Sequence, residues 1–332
     1  SRKPRKYRPR GRNGGTLACA RALSCICALR REETIVSKTF TPVSLEGRQQ
    51  YYELWGRTPQ RSLDYTLANL WGWQDYYGLE WCFEDNLCWI RQTRPYAVCW
   101  APVGDWNAVS WKDLLPCGFN PEAHNITRVP EKLLEIWQRE LPGLVDADED
   151  RGQWEYLYKQ EELAELPGNR FHKKKNHLTS YVKTYGQPDY HTLDDAMVED
   201  VLAVQDDWCQ WHECEESPSL RAENEAINRV LSHWNCFTGL VGGSLYVDGK
   251  MVAVSVGENL DGANLGVHYE KGLNGFKGVY QTINCLFSRN AGAGFTYINR
   301  AQDLDEEGLR QAKITYLPAD FLRKYKVRIR KS

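Results

Sequence analysis

Residues Gly242–Leu260 read GGSLYVDGKMVAVSVGENL. Two β-rich runs, Phe237–Val247 and Met251–Glu258, flank Asp248-Gly249, a dipeptide suited to the two left-handed residues of a tight hairpin turn. The stretch predicts a pair of antiparallel strands. Toward the C-terminus, Leu265–Glu270 adds a third strand and a Gly-rich turn leads into a helix over 279–289. Phe295–Asn299 then reads as a strand and Glu306–Thr315 as a helix. Toward the N-terminus, apolar spacing predicts helices over 219–233, 194–213 and 170–185, a helix stopping near Leu166-Pro167-Gly168, and a strand over Trp154–Tyr158.

The first half reads similarly. Ser62-Leu63-Asp64 opens an aromatic-rich helix carrying Tyr65, Leu67, Leu70 and Trp71. Short strands follow over Leu79–Phe83, Leu87–Gln92 and Tyr96–Trp100, then helices over 107–116 and 130–140. The acidic run Asp146–Asp150 reads as a linker. The expected division is a basic leader over 1–34, one domain over 35–150 and a second over 151–332, which carries the site. Both halves mix helices with a mainly antiparallel sheet, so the fold class is α/β (α+β). Short-period repeats are absent, which excludes solenoids and propellers.

The formal charge of −2 averages two unlike regions. Residues 1–31 hold ten Lys/Arg and no acid, leaving 32 basic against 44 acidic residues, or −12, for the rest. An acidic body argues against a general nucleic-acid-coating protein, while leaving room for a local basic groove. Thr16–Leu29 resembles a signal peptide, but Arg21 interrupts it. A disordered or upstream-translated extension is expected there, with a polybasic membrane-surface arm as the alternative. No run of eighteen apolar residues occurs, so no membrane-spanning helix is expected. The 11 cysteines form an odd count without a C-x-x-C pair. They read as reduced, mostly buried thiols of a cytoplasmic protein, without a metal site or disulfide framework.

Three segments carry chemistry. In FHKKKNHL (Phe171–Leu178), Lys174 falls within the apolar stripe of a helix and Lys173 opposite it. The lysines form either a solvated face with packed stems or a positive wall for a polyanion. In HYEKGLNGFKG (His268–Gly278), Gly272, Gly275 and Gly278 lie between a strand and a helix. This is either plain turn chemistry or a phosphate cradle. Glu270 at the strand end is a candidate general base, or the partner of Lys271 or a nearby Arg. In INRAQDLDEEGLRQAKITYLP (Ile298–Pro318), Asp305 is a plausible N-cap and Glu306 and Arg310 are i,i+4 partners. Arg310 and Lys313 share a face beside Tyr316.

These segments, with DYTLANLWGW and YLYKQEELAELPGNRFHKKKNHL, resemble the C-terminal domain of phosphatidylglycerol lysyltransferases and its soluble, uncharacterised bacterial relatives. The resemblance spans roughly residues 40–330 and implies tandem GNAT-type α/β folds with mixed, largely antiparallel sheets. It implies a soluble acyl/aminoacyltransferase moving an aminoacyl group from aminoacyl-tRNA to an amine or hydroxyl. Lys173, Lys174, Asn176 and His177 match the basic helix, Glu270 and Lys271 the strand end. Asn299, Arg300, Asp303, Gly308, Arg310, Lys313 and Tyr316 match the final block.

On that footing Glu270, Arg300 and Lys313 are the expected catalytic residues. Lys173, Lys174, Lys271, Gly272, Gly275 and Gly278 are expected to hold donor phosphates. Asn176, His177, His268, Asn299, Asp303, Arg310 and Tyr316 would shape the site. No tightly bound cofactor or metal is expected; the donor is aminoacyl-tRNA or, alternatively, an acyl-CoA. Gly275 and Gly278 are spaced unlike the usual acetyl-CoA turn. Ala301 and Asp305 stand where relatives often have an acid and a glycine, which leaves a non-catalytic binding module as a third reading. The expected partners are tRNA and an acceptor that is a lipid head group, a peptide or a small amine. The expected location is the cytoplasm, including its membrane surface.

Overall fold

In a computed structural model, which describes residues 38–118 and 125–330, Asp248 and Gly249 take φ of 51° and 77°. They join two long antiparallel strands, as the turn chemistry requires. The leader over 1–34 lies outside the described residues. Among the described residues, fourteen strands form two seven-stranded sheets. The first contains β1 (Thr41–Pro42), β2 (Glu80–Glu84), β3 (Leu87–Gln92), β4 (Val98–Gly104), β5 (Asn125–Pro130) and β6 (Val145–Glu149), with β14 (Lys324–Ile329) between β5 and β6. The second contains β8 (Asp189–Thr192), β9 (Leu240–Val247), β10 (Lys250–Asn259), β11 (Asn264–Gly272), β12 (Tyr297–Asn299) and β13 (Asp320–Leu322), with β7 (Glu155–Lys159) between β12 and β13.

The two sheets have one plan. Counted as runs of seven, β1–β7 and β8–β14, each run places its first six strands in one sheet and its seventh in the other. Each sheet is antiparallel except for one pair, β4 with β5 and β11 with β12. A repeated plan that no sequence periodicity reveals is thus visible as topology. The cut at residue 150 falls between β6 and β7, and β14 returns across it to the first sheet.

The helices are α1 (Arg48–Trp55), α2 (Leu67–Gly72), α3 (Gln74–Tyr77), α4 (Trp111–Gly118), α5 (Glu131–Glu140), α6 (Gln160–Glu165), α7 (His172–Tyr185), α8 (Val198–Trp211), α9 (Pro218–Leu231), α10 (Val279–Asn290) and α11 (Glu307–Ile314). The first sheet packs on tryptophan: Trp89, Trp100, Trp111 and Trp137 are all buried. The Trp111 and Trp137 rings meet edge to face at 5.4 Å. In the second sheet, Met251, Val254 and Val256 pack against Val201 and Val204 of α8 and Ile227 and Leu231 of α9. The opposite face, through Leu245, Val252 and Ala253, packs against Tyr181 of α7 and Ile283 of α10.

Several expectations change. The helix expected from Ser62 splits into a 3-10 turn, Leu63–Tyr65, and α2. Thr66 is extended between them and its hydroxyl caps the amide of Asn69. The helix expected from 107 starts at Trp111, because Asp105 holds Asn107 and Ala108 in a turn. The acidic linker is strand β6, and the basic stretch KYKVRI near the end of the sequence lies beside it as β14. Arg328 stands opposite Asp146 and Lys326 opposite Asp148, an arrangement in which cross-strand charges attract. The basic stretch is therefore committed within the protein.

The cysteine reading holds for Cys82, Cys88, Cys99 and Cys285, which are buried and free, but not for Cys209 and Cys214. The chain reverses after α8 through Glu213 at φ 53°, bringing their Cα atoms to 5.1 Å in a disulfide.

One buried charge cluster joins the sheets. Asp64, next to α2, binds Arg128 of β5 at 2.5 Å and Lys324 of β14. Lys324 also binds Glu155 of β7 at 2.6 Å. Glu155 further accepts hydrogen bonds from Ser62 Oγ (2.7 Å), the Leu63 amide (3.0 Å) and Asn299 Nδ2 (2.5 Å). The Arg128 guanidinium lies 4.2 Å from the Trp100 ring centre. Lys324 is fully buried, so removing its charge leaves buried Glu155 without a cationic partner and Asp64 with Arg128 alone. Lys324→Met is expected to cost about 3–5 kcal/mol in urea denaturation. Lys326→Met, whose solvent-exposed ammonium lies 3.3 Å from Asp150, is expected to cost far less. Equal losses would count against the cluster.

Candidate functional site

The site forms where β11, β12 and α11 meet α7 and α10. Side chains alternate along β11, so Glu270 and Lys271 point to opposite faces. Glu270 faces α10, where its carboxylate accepts from Arg300 Nη2 at 3.1 Å and from Asn284 Nδ2 at 3.2 Å. Lys271 faces α8 and α9, pairing with Glu223 at 2.8 Å over the Trp208 ring. The expected Glu270 partner is thus an arginine, and Lys271 stands apart from it. His268 also lies away from Glu270. Its Nε2 is 2.9 Å from Glu258 Oε2, both buried, in a cleft lined by Asn69, Trp73, Glu223 and Tyr269.

Arg300 follows β12 and spreads its guanidinium over Tyr316, 4.8 Å from the ring centre, with Tyr158 at 5.8 Å. Lys174 of α7 reaches the same ring at 3.9 Å and donates to Thr315 Oγ1 at 2.9 Å. This settles why a lysine stands in the apolar stripe: its ammonium rests on an aromatic face. Lys313 of α11 points back under the turn and donates to the carbonyls of Arg300 and Ala301. Burial, then the neighbouring Arg300 charge, lower its pKa to about 7. Burial pushes the Tyr316 hydroxyl up to about 12, against the pull of Arg300. Glu270, Arg300, Lys313, Tyr316 and Lys174 therefore share one place, joined by Tyr158, Asn284 and Thr315.

Asp303 holds the turn that carries this group. Fully buried, it accepts from Arg310 through both oxygens at 2.9 Å, from Tyr156 at 2.6 Å, from Arg151 at 3.2 Å and from the Asp305 amide at 2.9 Å. Burial disfavours its charge, but these donors, Arg310 first, hold its pKa down to about 2. Ala301, Leu304 and Asp305 take φ of 57°, 54° and 61°, a conformation that favours glycine. Asp305 is not the N-cap: Glu306 is, without a side-chain bond. Arg310 pairs with Asp303 and Asp305 rather than serving Glu306 as an i,i+4 partner. Asn299 belongs to the buried charge cluster.

The remaining expected residues sit at the edge. Lys173 and His177 are exposed on α7, and Asn176 Nδ2 lies 3.1 Å from His172 Nε2. Gly278, at φ 78°, lets the His177 carbonyl approach α10 so closely that a Cβ would collide with it. Gly272 packs against Val279 and Tyr280, and Gly275 takes φ 88°. Three amides in and just after this turn are already engaged: Leu273 by the Val252 carbonyl, Lys277 by the Tyr185 hydroxyl and Val279 by the Phe276 carbonyl.

The family model of the phosphatidylglycerol lysyltransferase C-terminal region matches residues 56–328. The chain belongs to that family. A conserved protein of unknown function from Bacteroides thetaiotaomicron is 26% identical, with a TM-score of 0.79 over 88% of this chain and 100% of that one. The C-terminal domain of a putative lysylphosphatidylglycerol synthetase from Agrobacterium fabrum shares the fold (13% identity, TM-score 0.61, covering 87% and 93%). L-PGS from Bacillus licheniformis does so at 11% identity and TM-score 0.55, covering 86% and 92%. No curated protein matches the sequence. Among the described residues of this family member, no helix is long and apolar enough to cross a membrane. No group of three His, Cys, Asp or Glu could hold a metal there.

Lys313 links the site to stability. An unfolded lysine titrates near 10.4 and the folded one near 7, so between these values the unfolded chain binds more protons. Stability should rise as pH increases through that window. Comparing unfolding at pH 7 and pH 9.5, Lys313→Met should lose that rise. A wild-type slope unchanged in the variant would place the low pKa elsewhere.

Proposed function

We propose that the protein transfers an aminoacyl group from aminoacyl-tRNA to an amine or hydroxyl acceptor. The observation that carries this reading is Lys313, an amine titrating near neutrality beside Arg300 and Glu270. A base of this pKa can take a proton at pH 7 and give it back. The acceptor nitrogen or oxygen attacks the ester carbonyl carbon and its proton passes to neutral Lys313. Arg300 donates to the oxyanion that develops. As the ester C–O bond breaks, the proton returns to the leaving ribose oxygen. Glu270, braced by Arg300 and Asn284, orients the substrate. The reading needs no metal.

Exposed Lys173 and Lys175 on α7, with Lys174 at the site, supply the positive wall for tRNA phosphates. A tRNA donor places the reaction in the cytoplasm, and the acceptor is a lipid head group, a peptide or a small amine. Family membership supports acyl transfer in general. An acyl-CoA donor has less support, because two amides of the Gly272–Gly278 turn and that of Val279 just after it already serve internal bonds.

The purified chain is to be incubated with labelled aminoacyl-tRNA or acetyl-CoA and an amine acceptor mixture. Label is expected to leave tRNA and not CoA. Lys313→Met should lower turnover about 100-fold and remove a rising pH limb near 7, and Glu270→Gln should lower it without moving that limb. Consumption of acetyl-CoA alone would establish the acyl-CoA reading. Inertness toward both would favour a binding module.

A further inference from the structure

Behind Glu270, the second sheet and α10 enclose polar atoms that the protein's own groups leave unused. Ser255 on β10 stands directly opposite Glu270 on β11, so the two side chains leave the sheet on one face. Val254 and Val256 on either side of Ser255 pack toward α8 and α9, which directs Ser255 to the α10 side. Ser255 is fully buried and its Oγ has no hydrogen-bond partner.

Asn284, 2% exposed, gives its Nδ2 to Glu270 and leaves Oδ1 buried without a donor. Chemistry fixes that orientation: a carboxylate only accepts, so the amide nitrogen must face it. Buried polar atoms are rarely left unpaired. Here two lie beside a carboxylate, and all three groups accept.

An ammonium group is the complement, with three N–H donors and no acceptor. We infer that Glu270, Asn284 and Ser255 form an ammonium subsite whose ligand is the α-ammonium of the aminoacyl group. This rests on the transfer reading above and names how the donor is recognised. Arg300 shares Glu270 Oε1 and is partly exposed over Tyr316; it shifts along that ring to admit the ligand. Sites built to bond a polar group reject analogues that lack it, so the subsite separates aminoacyl from plain acyl donors.

The test uses the full chain with glycinamide and acetamide, which differ by the amine, in isothermal titration. Glycinamide should bind at least about tenfold more tightly than acetamide. Ser255→Ala should weaken glycinamide about tenfold while keeping or raising the melting temperature, since it deletes an unpaired hydroxyl. Asn284→Ser is the second variant and should weaken it likewise. Equal binding of the two amides, or unchanged glycinamide affinity in both variants, overturns the subsite. Aminoacyl-tRNA turnover without amide discrimination overturns the subsite alone. Discrimination without turnover upholds the subsite and overturns the transfer reading.

Discussion

Two acids and two bases buried between the sheets hold the molecule's plan in place. Asp64, Arg128, Glu155 and Lys324 come from a 3-10 turn, β5, β7 and β14, so no single stretch of chain could make the cluster. Burying four charges is costly unless each is paired and hydrogen-bonded. Here Ser62, the Leu63 amide and Asn299 supply the remaining bonds to Glu155. The cluster is complete only when β7 and β14 have each joined the sheet of the other run. It therefore favours the exchanged arrangement over one in which each run closes on itself.

The site inherits its geometry from that cluster. Asn299, the last residue of β12, donates from its amide nitrogen to Glu155 and accepts from the Ala301 backbone amide through its oxygen. The next residue is Arg300. Three residues on, Asp303 gathers Arg151, Tyr156 and Arg310 around one carboxylate. Around Asp303 the chain takes three left-handed residues, Ala301 before it and Leu304 and Asp305 after it, and Lys313 returns beneath to bond the carbonyls of Arg300 and Ala301. A lysine so placed loses solvent and sits beside a fixed arginine, and both effects favour its neutral form.

The final block, Ile298–Pro318, was legible as a dense polar turn, and Glu270, Arg300, Lys313 and Tyr316 do come together. Lys271 and His268 do not join them. Strand alternation sends Lys271 to the other face, and His268 lies next to the register shift between β10 and β11. Asn284, Ser255 and Tyr158 were missed because each stands alone in the sequence, outside the three segments dense in charge and glycine. The only local signal was a polar pair, Asn284 and Ser288, at helical spacing within buried α10.

By itself the sequence determined the element types wherever a local rule is strong. Asp248-Gly249 makes a hairpin because its conformation is intrinsic to those two residues. Periodic apolar faces make helices because burial follows spacing. The tertiary structure alone decided that an acidic run and a basic stretch are neighbouring strands and that Cys209 meets Cys214. It also decided that a lysine in the last block titrates near 7. Those outcomes depend on the path the folded chain takes, even across the five residues from Cys209 to Cys214, and on how far water is excluded from the groups that meet, and no local pattern encodes either.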